Sequence, residues 1–253
     1  MTTRRIGVIA ALGTAGILTV AGMAHAADIK VLSSNAIKQA YLELVPQFER
    51  ASEHKVATTW AGTQGIMKRM QAGETYDLVI MSGTGIDNLI KQGKLVAGSR
   101  VDLVKSGIGV AVRAGAPKPD ISSTDALKRA LLAAKSVGYS TGPSGVYLAG
   151  LFERLGLADA LTPKIKIAES GTPVGLLIAR GDAEIGFQQI SELLPVAGVD
   201  YVGPLPPDIQ HTTVFAAGLH TGAKEPDAAK ALIKFLTAPA AVPVIKQKGL
   251  EPG

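Results

Sequence analysis

Ile29-Lys30-Val31-Leu32-Ser33-Ser34-Asn35 runs directly into Ala36-Ile37-Lys38-Gln39-Ala40, and the change of period at that junction decides the fold class. Ile29 to Leu32 is a short β-rich run, and Ser33-Ser34-Asn35 is a polar turn able to cap a helix. The helix is expected from Ala36 to about Ala51, because Ala36, Ala40, Leu44, Val45 and Phe48 recur at helical spacing. Strand, polar turn, helix is the half-unit of a parallel sheet, whose strands are joined by helices packed on its faces.

The same unit recurs along the chain. Lys55 to Trp60 is a strand followed by Gly62-Thr63-Gln64-Gly65 and a helix to about Gln71; Tyr76 to Met81 is a third strand, followed by Ser82-Gly83-Thr84-Gly85 and a helix to about Gln92. After a strand at Ile108 to Arg113, Ala114 to Pro119 is a loop into a second lobe. There Ser136 to Tyr139, Ile165 to Ala168 and Ala183 to Phe187 are strands. They are followed by Ser140-Thr141-Gly142-Pro143-Ser144-Gly145, by Glu169-Ser170-Gly171-Thr172-Pro173, and by Gln188-Gln189-Ile190-Ser191-Glu192. A strand at Thr212 to Leu219, a helix at Pro226 to Leu236 and a short helix within Ala238 to Gly249 return to the style of the first lobe. The pattern predicts an α/β protein of two lobes, residues 27–108 with 213–253 and residues 109–212, crossed twice near Gly107–Arg113 and Pro207–Val214, with a cleft between them.

In every unit the polar turn falls between the carboxyl end of a strand and the amino end of a helix. Open α/β sheets bind ligands at that edge, where unpaired N–H groups and the helix dipole favour anions. The ligand-binding candidates are therefore Ser34, Asn35, Thr63, Gln64, Ser82, Thr141, Ser144, Gly145, Thr172 and Gln189. Any one of these turns is explained by ordinary capping; six on facing sheet edges point to a small anion held by hydroxyls, amides and backbone N–H groups.

Composition removes most alternatives. The 253 residues contain no cysteine and four histidines, so thiolate chemistry and cysteine-held metals are excluded. His54, His211 and His220 lack the spacing that places two ligands on one face, and no metal site is expected. Gly142-Pro143-Ser144-Gly145 puts proline where a nucleophile elbow needs a different turn, and the chain has no GxxxxGK[ST] and no GxGxxG; neither a hydrolase triad nor a nucleotide or other cofactor is expected. Residues 1–26 read as an export signal: Arg4 and Arg5, an apolar run from Ile6 to Val20, then Ala24-His25-Ala26 before a cut after Ala26. Loss of Arg4 and Arg5 lowers the formal charge from +5 to +3, and the remaining basic residues are scattered, so nucleic-acid binding is not expected. The mature chain is expected to be a monomer in the periplasm.

The order of these residues resembles the periplasmic molybdate-binding proteins, the type II substrate-binding proteins of ABC importers. The likeness is carried by Ile29 to Asn35, by Gln71-Ala72-Gly73 before Tyr76-Asp77-Leu78-Val79-Ile80-Met81, by Pro143-Ser144-Gly145-Val146-Tyr147, and by the closing Ala228 to Leu236 helix with Pro239-Ala240-Ala241. The resemblance implies an oxyanion bound between two lobes that close around it, and importer membrane subunits as partners. Asn35 stands where such proteins have a serine, Thr63 and Ser144 match contact positions, and Gln189 replaces a late tyrosine. Those departures favour a larger polycarboxylate over a compact tetrahedral ion. The same neighbourhood includes bacterial aconitate isomerase, which interconverts trans- and cis-aconitate. That activity requires a proton-transfer group, for which Tyr147, Glu169 and His211 are the candidates by loop position, with Arg113 and Arg180 available to balance carboxylates.

Overall fold

The computed structural model describes residues 26–253; the expected export signal, apart from its last residue, lies outside the described residues. The chain runs β1 (Asp28–Ser34), α1 (Lys38–Ser52), β2 (Lys55–Ala61), α2 (Thr63–Gln71), β3 (Leu78–Ser82), α3 (Gly83–Lys91) and β4 (Val101–Arg113). It continues through α4 (Thr124–Ala133), β5 (Val137–Ser140), α5 (Pro143–Arg154), α6 (Ala158–Leu161), β6 (Ile165–Ala168), α7 (Val174–Arg180), β7 (Ile185–Gln189), α8 (Ile190–Leu193) and β8 (Val199–Pro204). It closes with β9 (Thr212–Leu219), α9 (Pro226–Leu236), α10 (Val242–Gln247) and β10 (Glu251–Pro252).

The strands form one curled sheet in the order β2-β1-β3-β9-β4-β7-β5-β6, with β8 and β10 both paired to β4. Strands β1, β2 and β3 are parallel, as are β5, β6 and β7, while β9 and β4 run antiparallel to their neighbours. Strand β4 joins the two halves. Its residues Val101 to Gly107 pair with β9, and Ile108 to Arg113 pair with β7 and β8. The chain returns from β8 to β9 through Leu205–His211. The two passages are fastened to each other by Gln210, whose amide accepts from Ile108 N at 2.9 Å and donates to Ile108 O at 3.0 Å.

Each half has apolar residues on both faces of its sheet, as covered parallel strands require. Val31, Leu78 and Ile80 face a layer containing Tyr41, Leu44, Phe48 and Leu232, while Leu32, Val79 and Met81 face Ile66, Met70 and Ile86. In the other half Val110, Val137 and Phe187 pack on Leu127, Leu148 and Phe152, and Ala111 packs opposite them with Val174 and Ile178. Four boundaries differ from the sequence reading. Strand β4 starts at Val101, seven residues before the expected strand, because Asp102 and Lys105 break its apolar pattern. Strand β8 was not anticipated, Gln188 and Gln189 lie within β7 and not after it, and α1 is preceded by a 3-10 turn over Asn35–Ile37.

Candidate anion-binding chamber

Turns from both halves meet around a small chamber of about 40 Å³. Ser34 and Asn35 reach it from the end of β1, Gly62 and Thr63 from the end of β2, Ser140 to Ser144 from β5, Glu169 to Thr172 from β6, and Gln188 and Glu192 from β7 and α8, with Phe215 as the apolar floor. By this measure a water needs roughly 10–15 Å³, so the chamber suits one compact anionic group. Two wider clefts adjoin it. One shares Thr63, Thr141, Gly142 and Pro143 with it, and the other shares Asn35, Gly171 and Glu192.

The halves touch directly above the chamber. Asn35 Nδ2 donates to Gly171 O at 3.3 Å, and Gly62 lies so close to the opposite turn that a Cβ there would sit 2.8 Å from both Gly171 N and Ser170 Oγ. Gly171 has φ +90°, a left-handed conformation that only glycine adopts without strain, and this turns its backbone toward Gly62.

The chamber's donors are neutral. Helices α2 and α5 begin after Gly62 and Gly142, neither of which supplies a side-chain cap, so their first-turn N–H groups keep free hydrogen-bonding capacity. Ser34 Oγ accepts from Ala36 N, and Ser140 Oγ accepts from Gly142 N, which holds those turns in shape. None of these bonds uses the hydroxyls of Thr63, Thr141, Ser144 or Thr172. No lysine or arginine is among the lining residues.

A carboxyl also lines the chamber. Glu192 accepts from Gln188 Nε2 at 3.0 Å, and Gln188 is itself fixed because its Oε1 must accept from Val174 N at 2.7 Å. Burial pushes the Glu192 carboxyl up to about 7, only partly opposed by the Gln188 hydrogen bond.

The architecture is matched by known proteins. Residues 29–251 fit the family described as bacterial extracellular solute-binding protein. The chain belongs to that family. This solute-binding protein is 40% identical over 230 residues to an aconitate isomerase from a Pseudomonas species, covering 88% of this chain and 87% of that one. It is 29% identical over 250 residues to the molybdate-binding protein ModA of Azotobacter vinelandii, covering 95% of each. Among solved structures it resembles the periplasmic molybdate-binding protein of Azotobacter vinelandii with a TM-score of 0.75 at 21% identity, covering 89% of this chain and 99% of that one.

Within this solute-binding protein, six of the ten ligand-binding candidates line the chamber: Ser34, Asn35, Thr63, Thr141, Ser144 and Thr172. The other four lie elsewhere. Gln64 is exposed on α2, and Ser82 lines the wider cleft beside Arg100, whose charge is engaged by Asp87 and Asp102. Gly145 packs against the end of β5, where a Cβ would fall 1.5 Å from Ser140 O; its small size lets α5 start at that point. Gln189 is buried and donates to Thr213 Oγ1 at 3.0 Å, tying β7 to β9 outside the chamber's lining.

The proton-transfer candidates are dispersed as well. Glu169 lines the chamber but is exposed at its rim. Tyr147 donates its hydroxyl to Ile209 O at 2.8 Å and stacks on His211 at 4.5 Å, outside the chamber; His211 lines the wider cleft, and burial lowers its pKa. Arg113 and Arg180 are not among the chamber's lining residues. Glu192 is not among the candidates that the sequence offers. Its signal was a carboxylate one helical turn beyond Gln188, at the end of a strand in the series that carries every other turn of the site.

Proposed function

We propose that this protein captures a small polycarboxylate of the aconitate class in the cleft and interconverts its trans and cis forms without a cofactor. The observation that carries this reading is the pairing, in one chamber, of neutral anion donors with the Glu192 carboxyl, in a chain 40% identical to an aconitate isomerase over most of its length. A carrier needs only the donors. Moving a double bond between carbons flanked by carboxylates needs in addition a group that takes and returns a proton, and such a group works best when its pKa is near the working pH.

One carboxylate of the ligand would occupy the chamber, facing the starts of α2 and α5, with the rest extending past Asn35 and Gly171 into the adjoining cleft that Glu192 borders. The uncharged donors select by shape and distance, because each must meet an oxygen lone pair without the tolerance that a mobile ammonium provides. The two lobes, 27–108 with 213–253 and 109–212, would part at Gly107–Ile108 and Leu205–His211 to admit the ligand. In the periplasm, after cleavage behind Ala26, the protein would meet organic acids before they cross the inner membrane.

Catalytic amounts of the purified protein are expected to change the ultraviolet absorbance of trans-aconitate toward that of the cis isomer; a flat trace at high protein concentration would rule the enzyme out. Alanine at Asn35, Thr63 or Ser144 is expected to weaken trans-aconitate binding by about 1–3 kcal/mol each in calorimetry, since each removes one donor from an anion that has left water. Unchanged affinity in all three would place the ligand elsewhere.

The likeness to molybdate-binding proteins supports a second reading, a carrier that delivers an anion to the membrane subunits of an ABC importer. Tight binding of molybdate, or of aconitate without turnover, would favour it.

A further inference from the structure

A reaction that shifts a double bond by one position takes a proton from one carbon and returns a proton to another two bonds away, and four side chains are in question. Tyr147 has its hydroxyl committed to Ile209 O and its ring covered by His211. His211 opens onto the wider cleft on the far side of Thr63 and Thr141, and Glu169 is on the solvent-exposed rim. Glu192 alone combines a place in the chamber wall with a fixed orientation. One of its oxygens is held by Gln188 Nε2, and the Gln188 amide cannot turn over because Val174 N requires its oxygen. No other hydrogen bond occupies the Glu192 carboxyl among the described residues, so its second oxygen is free to face a ligand. It also lies where the chamber meets the second wide cleft, so a ligand reaching past Gly171 passes over it.

From this arrangement we infer that Glu192 is the catalytic base and acid of the isomerisation, and that Gln188 is its positioning residue. The inference rests on the isomerase reading. The Glu192 carboxylate removes a proton from the ligand's methylene carbon. The pair of electrons left by that C–H bond forms the new carbon–carbon double bond, and the pair from the old double bond moves onto the carbon at its far end, where the adjacent carboxylate delocalises it. The protonated Glu192 then returns its proton to that far carbon. One C–H bond breaks, one forms, the double bond has moved by one position and its geometry is reset; nothing is oxidised or reduced. A single carboxyl can serve both carbons because they are separated by one atom on the same face of the ligand. The raised pKa of Glu192 fits this cycle, since both protonation states are populated near neutral pH.

The test is Glu192→Gln, which keeps the shape and an acceptor for Gln188 but cannot carry the proton, measured for turnover, for trans-aconitate binding and for exchange of the ligand's methylene hydrogens with deuterated water. The expected result is turnover and exchange both lower by about 100- to 10,000-fold with binding retained. Glu192→Asp, which keeps the acid on a shorter arm, is expected to lower kcat at least about tenfold with KM little changed. Turnover by the glutamine variant within about tenfold of the parent overturns the assignment alone. Loss of binding in step with turnover also overturns it, because Glu192 would then hold the ligand without moving its proton. An inert parent protein overturns the isomerase reading on which the assignment stands.

Discussion

Gly62→Ala is expected to weaken ligand capture by about 10- to 100-fold while leaving the free protein as stable as its parent. Gly62 has φ −72° and ψ 166°, an extended conformation open to any residue, so alanine adds no backbone strain. What glycine provides is distance. A methyl group would lie 2.8 Å from Gly171 N and 2.8 Å from Ser170 Oγ, contacts that the two halves make only when they meet. Pushing a methyl group into a packed contact costs about 1–3 kcal/mol, and here the molecule can escape the cost by staying open. The cost therefore falls on the closed, ligand-bound state and is read as lost affinity. Calorimetry with trans-aconitate, together with small-angle scattering before and after ligand addition, would measure it. Full affinity with full compaction would mean that the approach of Gly62 to Gly171 is unrelated to capture.

The second large effect is a pH dependence of stability centred on Glu192. Its carboxyl has a folded pKa of about 7 against an ordinary 4.5, because burial disfavours the charged form. The native state thus binds this proton more tightly than the unfolded chain does. Below pH 4.5 both states are protonated and burial of the group carries no ionisation cost. As pH rises from 4.5 to 7 the native state loses an increasing amount of stability, which levels off above 7 at about 3 kcal/mol. Replacing the carboxyl with a neutral amide removes this cost, so Glu192→Gln is expected to raise Tm by several degrees at pH 8 and to match its parent near pH 4. Equal melting temperatures for the two proteins at both pH values would show that the carboxyl is well solvated in the native state. The same substitution that stabilises the free protein is expected to stop turnover, as befits a group whose burial serves the reaction and not the fold.

Much of the architecture was legible locally. The passage from Ile29-Lys30-Val31-Leu32 through Ser33-Ser34-Asn35 into a helical period identifies a strand, a turn and a helix, and its repetition identifies the parallel sheet. The long strand β4 was only half legible. Asp102 and Lys105 obscure the alternation of its first half, which pairs with β9 while its second half pairs with β7. Strand β8 was hidden for a related reason: its residues are only half-buried along a sheet edge, with Asp200 among them, and its place is set by pairing with β4.

The site divides in the same way. Ser34, Asn35, Thr63, Thr141, Ser144 and Thr172 could be nominated because a polar turn at the end of a parallel strand has a known direction relative to the sheet, whatever the rest of the chain does. That periodicity and turn chemistry, with the absence of cysteine, was the sequence's own contribution: an α/β protein offering neutral hydrogen-bond donors. Gly145, Gln189 and Glu192 could not be sorted by the same means. Their roles depend on what stands across from them: Ser140 O against Gly145, Thr213 against Gln189, and the Gln188 amide against Glu192. Those partners lie on other elements. Only the folded molecule decides that Gln189 ties β7 to β9 and that an inconspicuous glutamate has its pKa raised to about 7, because desolvation is a property of the surroundings and not of the residue.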